Sequence, residues 1–83
     1  MDHLARTPRQ IGTLIRRARK NRGWSQSKLA DKTGLRQATI SQIEAGHDSA
    51  KLDTLLRIFA ALDLELRGAP RRKSTSADIE DLL

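Results

Sequence analysis

Three glycines constrain this chain more than any other feature. Gly23, Gly34 and Gly46 each close a run of residues at helical spacing, so the first half of the sequence divides into short helices. The first run carries Ile11, Leu14, Ile15 and Ala18 on one face. Thr7-Pro8-Arg9-Gln10 opens it, with Thr7 as N-cap, Pro8 at the first helical position and Gln10 closing a capping box. That predicts a helix from about Pro8 to Arg22. A second follows from Gln26 to about Lys32, capped by Ser25, with Trp24 one residue outside and placed to staple against Leu29. Lys28 stands where a capping box would place Glu or Gln, so that half of the motif is missing. A third helix runs from about Gln37 to Ala45, with Ile40 and Ile43 facing inward. Two short helices joined by a tight glycine-containing turn make a helix-turn-helix, although a generic helical corner shares the pattern.

A fourth helix, about Leu52 to Leu62, carries Leu52, Leu55, Leu56, Ile58, Phe59 and Leu62, more apolar surface than one buried face requires. A unit of about 60 residues is only marginally stable alone, so this surplus points to self-association. Asp53 and Thr54 in its first turn complement the helix dipole and need no catalytic role. The period then changes. Leu62, Leu64 and Leu66 alternate with Asp63, Glu65 and Arg67 before Gly68 and Pro70, which reads as one short β-strand. A lone strand leaves its backbone groups unpaired, so its simplest partner is the same strand of a second copy; an extended loop packed on the fourth helix is the alternative. Phe59, Leu62, Leu64 and Leu66 are the expected dimerisation residues. From Ala69 onward the chain is too polar to fold by itself, yet Ile79, Leu82 and Leu83 fall at helical spacing among acids and suit a partner's groove. The expected organisation is a flexible N-terminus over 1–7, one domain over 8–68 and a flexible tail over 69–83.

Charge is distributed unevenly. Between Met1 and Arg36 there are ten basic residues against two acids, and seven of the ten lie between Arg6 and Arg22 with no acid among them. A one-sided positive field favours a polyanion, either nucleic acid or an anionic membrane surface; a merely solvated helix face is the plainer reading. Arg16, Arg17, Lys20 and Arg22 are expected to supply field rather than individually defined bonds. Several classes of function are disfavoured. The chain has no cysteine, and His3 and His47 are too few for a metal cage, so neither a metal nor a cofactor is expected. No paired carboxylates, phosphate-cradling loop or nucleophile–base set occurs, which leaves an enzyme as the least expected class. The longest apolar run, Ile58-Phe59-Ala60-Ala61-Leu62, is far short of the roughly 20 residues that span a bilayer. Met1-Asp2-His3-Leu4 lacks a hydrophobic leader core, so a cytoplasmic, nucleoid-associated protein is expected. Trp24 and Phe59, the only aromatics, occupy packing positions and offer no stacking platform for single-stranded nucleic acid.

Duplex DNA fits better. Its major groove, about 12 Å wide, admits one helix whose first turns reach base edges. The third helix presents Gln37, Ala38, Ser41 and Gln42 outward, with Arg36 just before it. Gln can pair with adenine, Arg with guanine, and Ala38 can touch a thymine methyl. A solvated helix in so basic a chain would carry Lys and Glu at these positions. Phosphate contacts, which set register rather than sequence, are expected from Gln26 and Ser27 at the start of the second helix and from Lys28 and Thr39.

The stretch Gly23-Trp24-Ser25-Gln26-Ser27-Lys28-Leu29-Ala30 through Gln37-Ala38-Thr39-Ile40-Ser41-Gln42-Ile43-Glu44-Ala45-Gly46 resembles the Cro/C1 (XRE) type of helix-turn-helix repressor. Within that superfamily, Gln37-Ala38-Thr39-Ile40-Ser41, the leucine-rich fourth helix and Leu64-Glu65-Leu66 look most like HipB-type antitoxins. The resemblance spans about Ile11 to Leu66. It implies an all-α, lambda-repressor-like domain of four to five helices with one short C-terminal strand. It also implies that Arg19 reaches Glu44 as a structural pair while keeping donors near the DNA phosphates. The partners implied are double-stranded DNA with an inverted-repeat operator, a second copy of the chain, and a HipA-like serine/threonine kinase toxin. Ile79, Leu82 and Leu83, or the flank of the fourth helix, are the expected toxin contacts. A stand-alone phage-like or chromosomal repressor without a toxin is the nearest rival. A polyanion-binding interaction or membrane-surface module without base preference is the rival from another class.

Overall fold

The computed structural model describes residues 4–47 and 50–71. Four helices follow one another: α1 (Pro8–Asn21), α2 (Gln26–Thr33), α3 (Gln37–Glu44) and α4 (Leu52–Ala61). Each begins where the sequence predicts and ends within a residue of the expected stop. The caps explain the boundaries. The Thr7 hydroxyl accepts from the Gln10 backbone N–H at 3.1 Å, and the Ser25 hydroxyl accepts from that of Lys28 at 3.0 Å. The return half of the first capping box is displaced by one residue, because Gln10 Oε1 accepts from the Arg6 backbone N–H at 2.6 Å. Gly34 closes α2 in the left-handed region at φ 72°, a conformation that a β-carbon resists, and there the chain turns sharply into α3. Thr33 reinforces the same turn from inside. Its buried hydroxyl donates toward the carbonyls of Leu29 and Ala30 and accepts from the Leu35 N–H at 3.3 Å.

The core draws on all four helices. Ile15, Leu29, Ile40 and Ile58, one from each, are fully buried, and Ala30, Ile43, Phe59 and Leu62 surround them. Fully burying one such aliphatic side chain is worth about 1.5–3 kcal/mol. Trp24 packs on the edge of this cluster, as do Leu35 and Leu64. The Arg22 guanidinium lies over the Trp24 ring, 5.1 Å from its centroid, and also donates to the Leu62 carbonyl at 3.2 Å. The ends of α1 and α4 are thereby joined beside the start of α2.

The C-terminal segment differs from expectation. Leu62 is not the first residue of a strand; it caps α4, with its N–H directed to Ile58 and Phe59, and Asp63 turns the chain at φ 57°. Leu64 then donates back to the Phe59 carbonyl at 2.8 Å, and no strand forms among the described residues. The reason is physical: a ladder needs a second strand, and the described residues of one copy contain none. Phe59 and Leu62, expected at a dimer interface, instead complete the chain's own core. Leu66, at 63% exposure, remains uncovered, as do Leu52 and Leu56 on α4. Ile79, Leu82 and Leu83 lie outside the described residues.

Candidate nucleic-acid interface

The residues expected to read bases emerge together. Arg36, Gln37, Ala38, Ser41 and Gln42 are all exposed, on the side of α3 opposite the buried Ile40 and Ile43. Of the expected phosphate contacts, Ser27 and Lys28 are exposed at the first turn of α2, while Gln26 and Thr39 are half-buried. The outer side of α1 exposes Arg9, Arg16, Arg17 and Lys20.

α3 has little support of its own. It is eight residues long, its N-cap Arg36 makes no side-chain capping bond, and neither end carries a charge that complements the dipole. Its position is therefore set from outside, by α1 and α2. The strongest of these ties is the pair that the family resemblance implies. Arg19 donates from Nε to Glu44 Oε2 at 2.7 Å and from Nη2 to Oε1 at 2.9 Å, a two-pronged contact between side chains only 9% and 3% exposed. A third donor, Nη1, reaches the Trp24 carbonyl at 2.7 Å, and the Gln26 side-chain amide adds a bond to Glu44 Oε1 at 3.2 Å. Glu44, chiefly through these hydrogen bonds and secondarily through its charge, holds the Arg19 guanidinium above arginine's ordinary pKa against the opposing effect of burial. With three donors committed and little surface exposed, Arg19 acts first as an internal tie; a phosphate could take only the donors left over. Gln26 likewise faces inward to Glu44 as well as outward, so its side chain is oriented before any ligand arrives.

A second tie is invisible in side-chain chemistry. Gly12 is buried where α1 crosses the end of α3, and a β-carbon there would be driven into the carbonyl oxygen of Ile43 and to 2.7 Å from that of Glu44. Sequence reasoning does not single out Gly12, though the signal is present: a glycine set among Ile11, Leu14 and Ile15, where alanine is the better helix former. Elsewhere the site is plain. His47 is exposed, and with Pro8, Ile11, Ile43, Ala50 and Leu55 it borders a shallow hollow of about 90 Å³. Among the described residues no group of three His, Cys, Asp or Glu could hold a metal, and no helix is long and apolar enough to cross a membrane.

Comparison with known proteins agrees with this geometry. A family profile described as helix-turn-helix matches residues 15–68. The antitoxin HipB of Escherichia coli O6:H1 (strain CFT073) is 35% identical over 78 residues, covering 92% of this chain and 83% of that protein. This chain belongs to the HipB-like, XRE-type helix-turn-helix family. Its fold matches a solved HipB–O4 20mer complex with a TM-score of 0.78 at 32% identity, over 86% of this chain and all of the other. A HipA–HipB–O2–O3 complex matches with the same score, identity and coverage. As a member of the family the chain is a DNA-binding regulator.

Proposed function

We propose that this protein represses transcription by binding a specific duplex operator as a homodimer, and that it is the antitoxin of a HipA-type kinase whose operon it autoregulates. The observation that carries the reading is the exposed face of α3. It is uncharged except at Arg36, it is presented by a chain whose first helix is strongly basic, and it is fastened from behind by a buried ion pair. Arg36, Gln37, Ala38, Ser41 and Gln42 read base edges, while Gln26, Ser27, Lys28 and Thr39 fix the register on phosphates. Two copies place two α3 helices in successive major grooves about 34 Å apart, so the operator is an inverted repeat. Leu66, with Leu64 behind it, supplies the apolar seam and the strand that a second copy would pair with. The HipA-type partner is supported by likeness to HipB over nearly the whole chain, including HipB in a complex with HipA.

Selecting preferred duplexes from a random pool at moderate salt tests the reading. The expected product is an inverted repeat. Gln37→Ala relaxes one base position at a cost of about 1–3 kcal/mol, whereas Lys28→Ala weakens all sequences alike and lowers the salt slope by about 1. A pool that yields no preferred site overturns the proposal.

A further inference from the structure

Two glycines join α1 to the end of α3 backbone to backbone, and neither touches the exposed reading face. Gly12 of α1 lies under the last carbonyls of α3, those of Ile43 and Glu44. Gly46, just beyond α3, returns the contact: a β-carbon on it would stand 2.9 Å from the Arg9 Cα and 3.2 Å from its Cβ. The two contacts fall one helical turn apart on α1, at Arg9 and Gly12, so they fix an angle as well as a distance. Gly46 also sits at φ 91°, a backbone conformation that side chains rarely adopt, so any substitution there is strained. We propose that Gly12 and Gly46 are positioning residues for DNA recognition: together they seat the end of α3 against α1 and so set the pose from which its outer side chains meet the bases. This deepens the operator-binding reading and rests on it.

The size of the displacement decides the matter. A β-carbon at Gly12 needs roughly 3.5 Å from a neighbouring heavy atom, so the 2.7 Å gap to the Glu44 oxygen forces at least about 0.8 Å of retreat, and the closer Ile43 oxygen forces more. Binding constellations tolerate only about 0.5 Å. The obstacles are backbone atoms of two helices, so neither can swing aside as a flexible side chain would. Phosphate contacts from long, exposed Lys and Arg side chains absorb such a shift; hydrogen bonds to base edges do not. The seat therefore governs specificity more than affinity for duplex in general. It also reverses a simple expectation, because Gly→Ala inside a helix normally stabilises it.

The test compares Gly12→Ala, Gly46→Ala and Gly23→Ala, each at equal folded fraction, on the selected operator and on a random duplex of the same length. Gly23 is the control: it too has positive φ, at 70°, but a β-carbon there meets nothing within 4 Å. Gly12→Ala and Gly46→Ala are expected to weaken operator binding at least tenfold and to leave random-duplex binding within twofold. Gly23→Ala should lower thermal stability and leave the ratio unchanged. Should Gly12→Ala fail to fold, Gly46→Ala against Gly23→Ala decides the same question. An operator-to-random ratio within twofold of wild type in the seat variants overturns the proposal, as does an equal loss in Gly23→Ala. A wild-type chain without sequence preference overturns the operator reading and the seat together, whereas wild-type preference with an unmoved Gly12→Ala ratio overturns the seat alone.

Discussion

Removing Arg19 leaves the Glu44 carboxylate 3% exposed, with the Gln26 amide at 3.2 Å as its remaining side-chain partner. It also strips the Trp24 carbonyl of its 2.7 Å donor. Breaking one side of a buried ion pair costs about 3–5 kcal/mol, because the surviving charge stays out of water without compensation. Small domains have about 5–15 kcal/mol in total, so Arg19→Met should remove a large share of this one's stability. Glu44→Leu leaves the guanidinium stranded and should cost a similar amount. The double variant removes both charges and fills the site with hydrocarbon, so it should be more stable than the sum of the singles implies, by about 2–3 kcal/mol. Urea unfolding followed by far-ultraviolet circular dichroism measures all four corners of the cycle, provided the urea slope is unchanged. The coupling should survive 1 M salt, where screening acts over about 3 Å of water but hardly reaches a pair this deep. Because the folded-state pKa of Arg19 is raised, its contribution is complete below arginine's ordinary pKa and is lost only as pH climbs through the higher folded value. Arg19 therefore causes no loss of stability anywhere near neutral pH. Single variants that cost under about 1 kcal/mol, or a cycle that is simply additive, would refute the reasoning and return the pair to the class of surface ion pairs.

Two further outcomes follow from particular contacts. Ser25→Ala removes the acceptor 3.0 Å from the Lys28 N–H and should cost about 1 kcal/mol by thermal or urea unfolding, with Ser25→Asp recovering it. Deleting 77–83 should weaken capture of a co-expressed HipA-type kinase in a pull-down while operator binding in a gel shift stays intact; equal loss of both would show that the tail has no separate role.

The helices were legible in the sequence because their ends are written in local chemistry. Thr7, Ser25, Gly23, Gly34 and Gly46 act on neighbours two to four residues away, and spacing alone reveals them. The exposed face of α3 was legible for a related reason: Ile40 and Ile43 fix which way α3 is turned, and the outward set follows from helical geometry. Arg19 and Glu44 lie 25 residues apart, and it was family likeness, not pattern, that joined them. The burial that makes the pair matter could not be read before the fold was known. Phe59 and Leu62 are covered by their own chain, which the sequence could not show, because hydrophobicity reports that a side chain is covered without saying by what. Leu62, Leu64 and Leu66 alternate as a strand does, yet alternation records only a preference; pairing depends on a second strand, and none occurs among the described residues of one copy. Gly12 escaped notice because its importance lies in the approach of two backbones, an event with no side-chain signature.

Ile15, Leu29, Ile40 and Ile58 belong to one buried cluster, each lent by a different helix. Three of those helices have ten residues or fewer, below the about 12–15 at which an isolated helix begins to hold together in water. Take any one away and the other three lose the wall they lean on. The reading segment is consequently not a portable cassette: cut from its neighbours and spliced into a foreign scaffold, residues 25–46 would keep their letters and lose their shape. In the proposed role, what would recognise an operator is the whole knot of four, of which α3 is merely the part that shows.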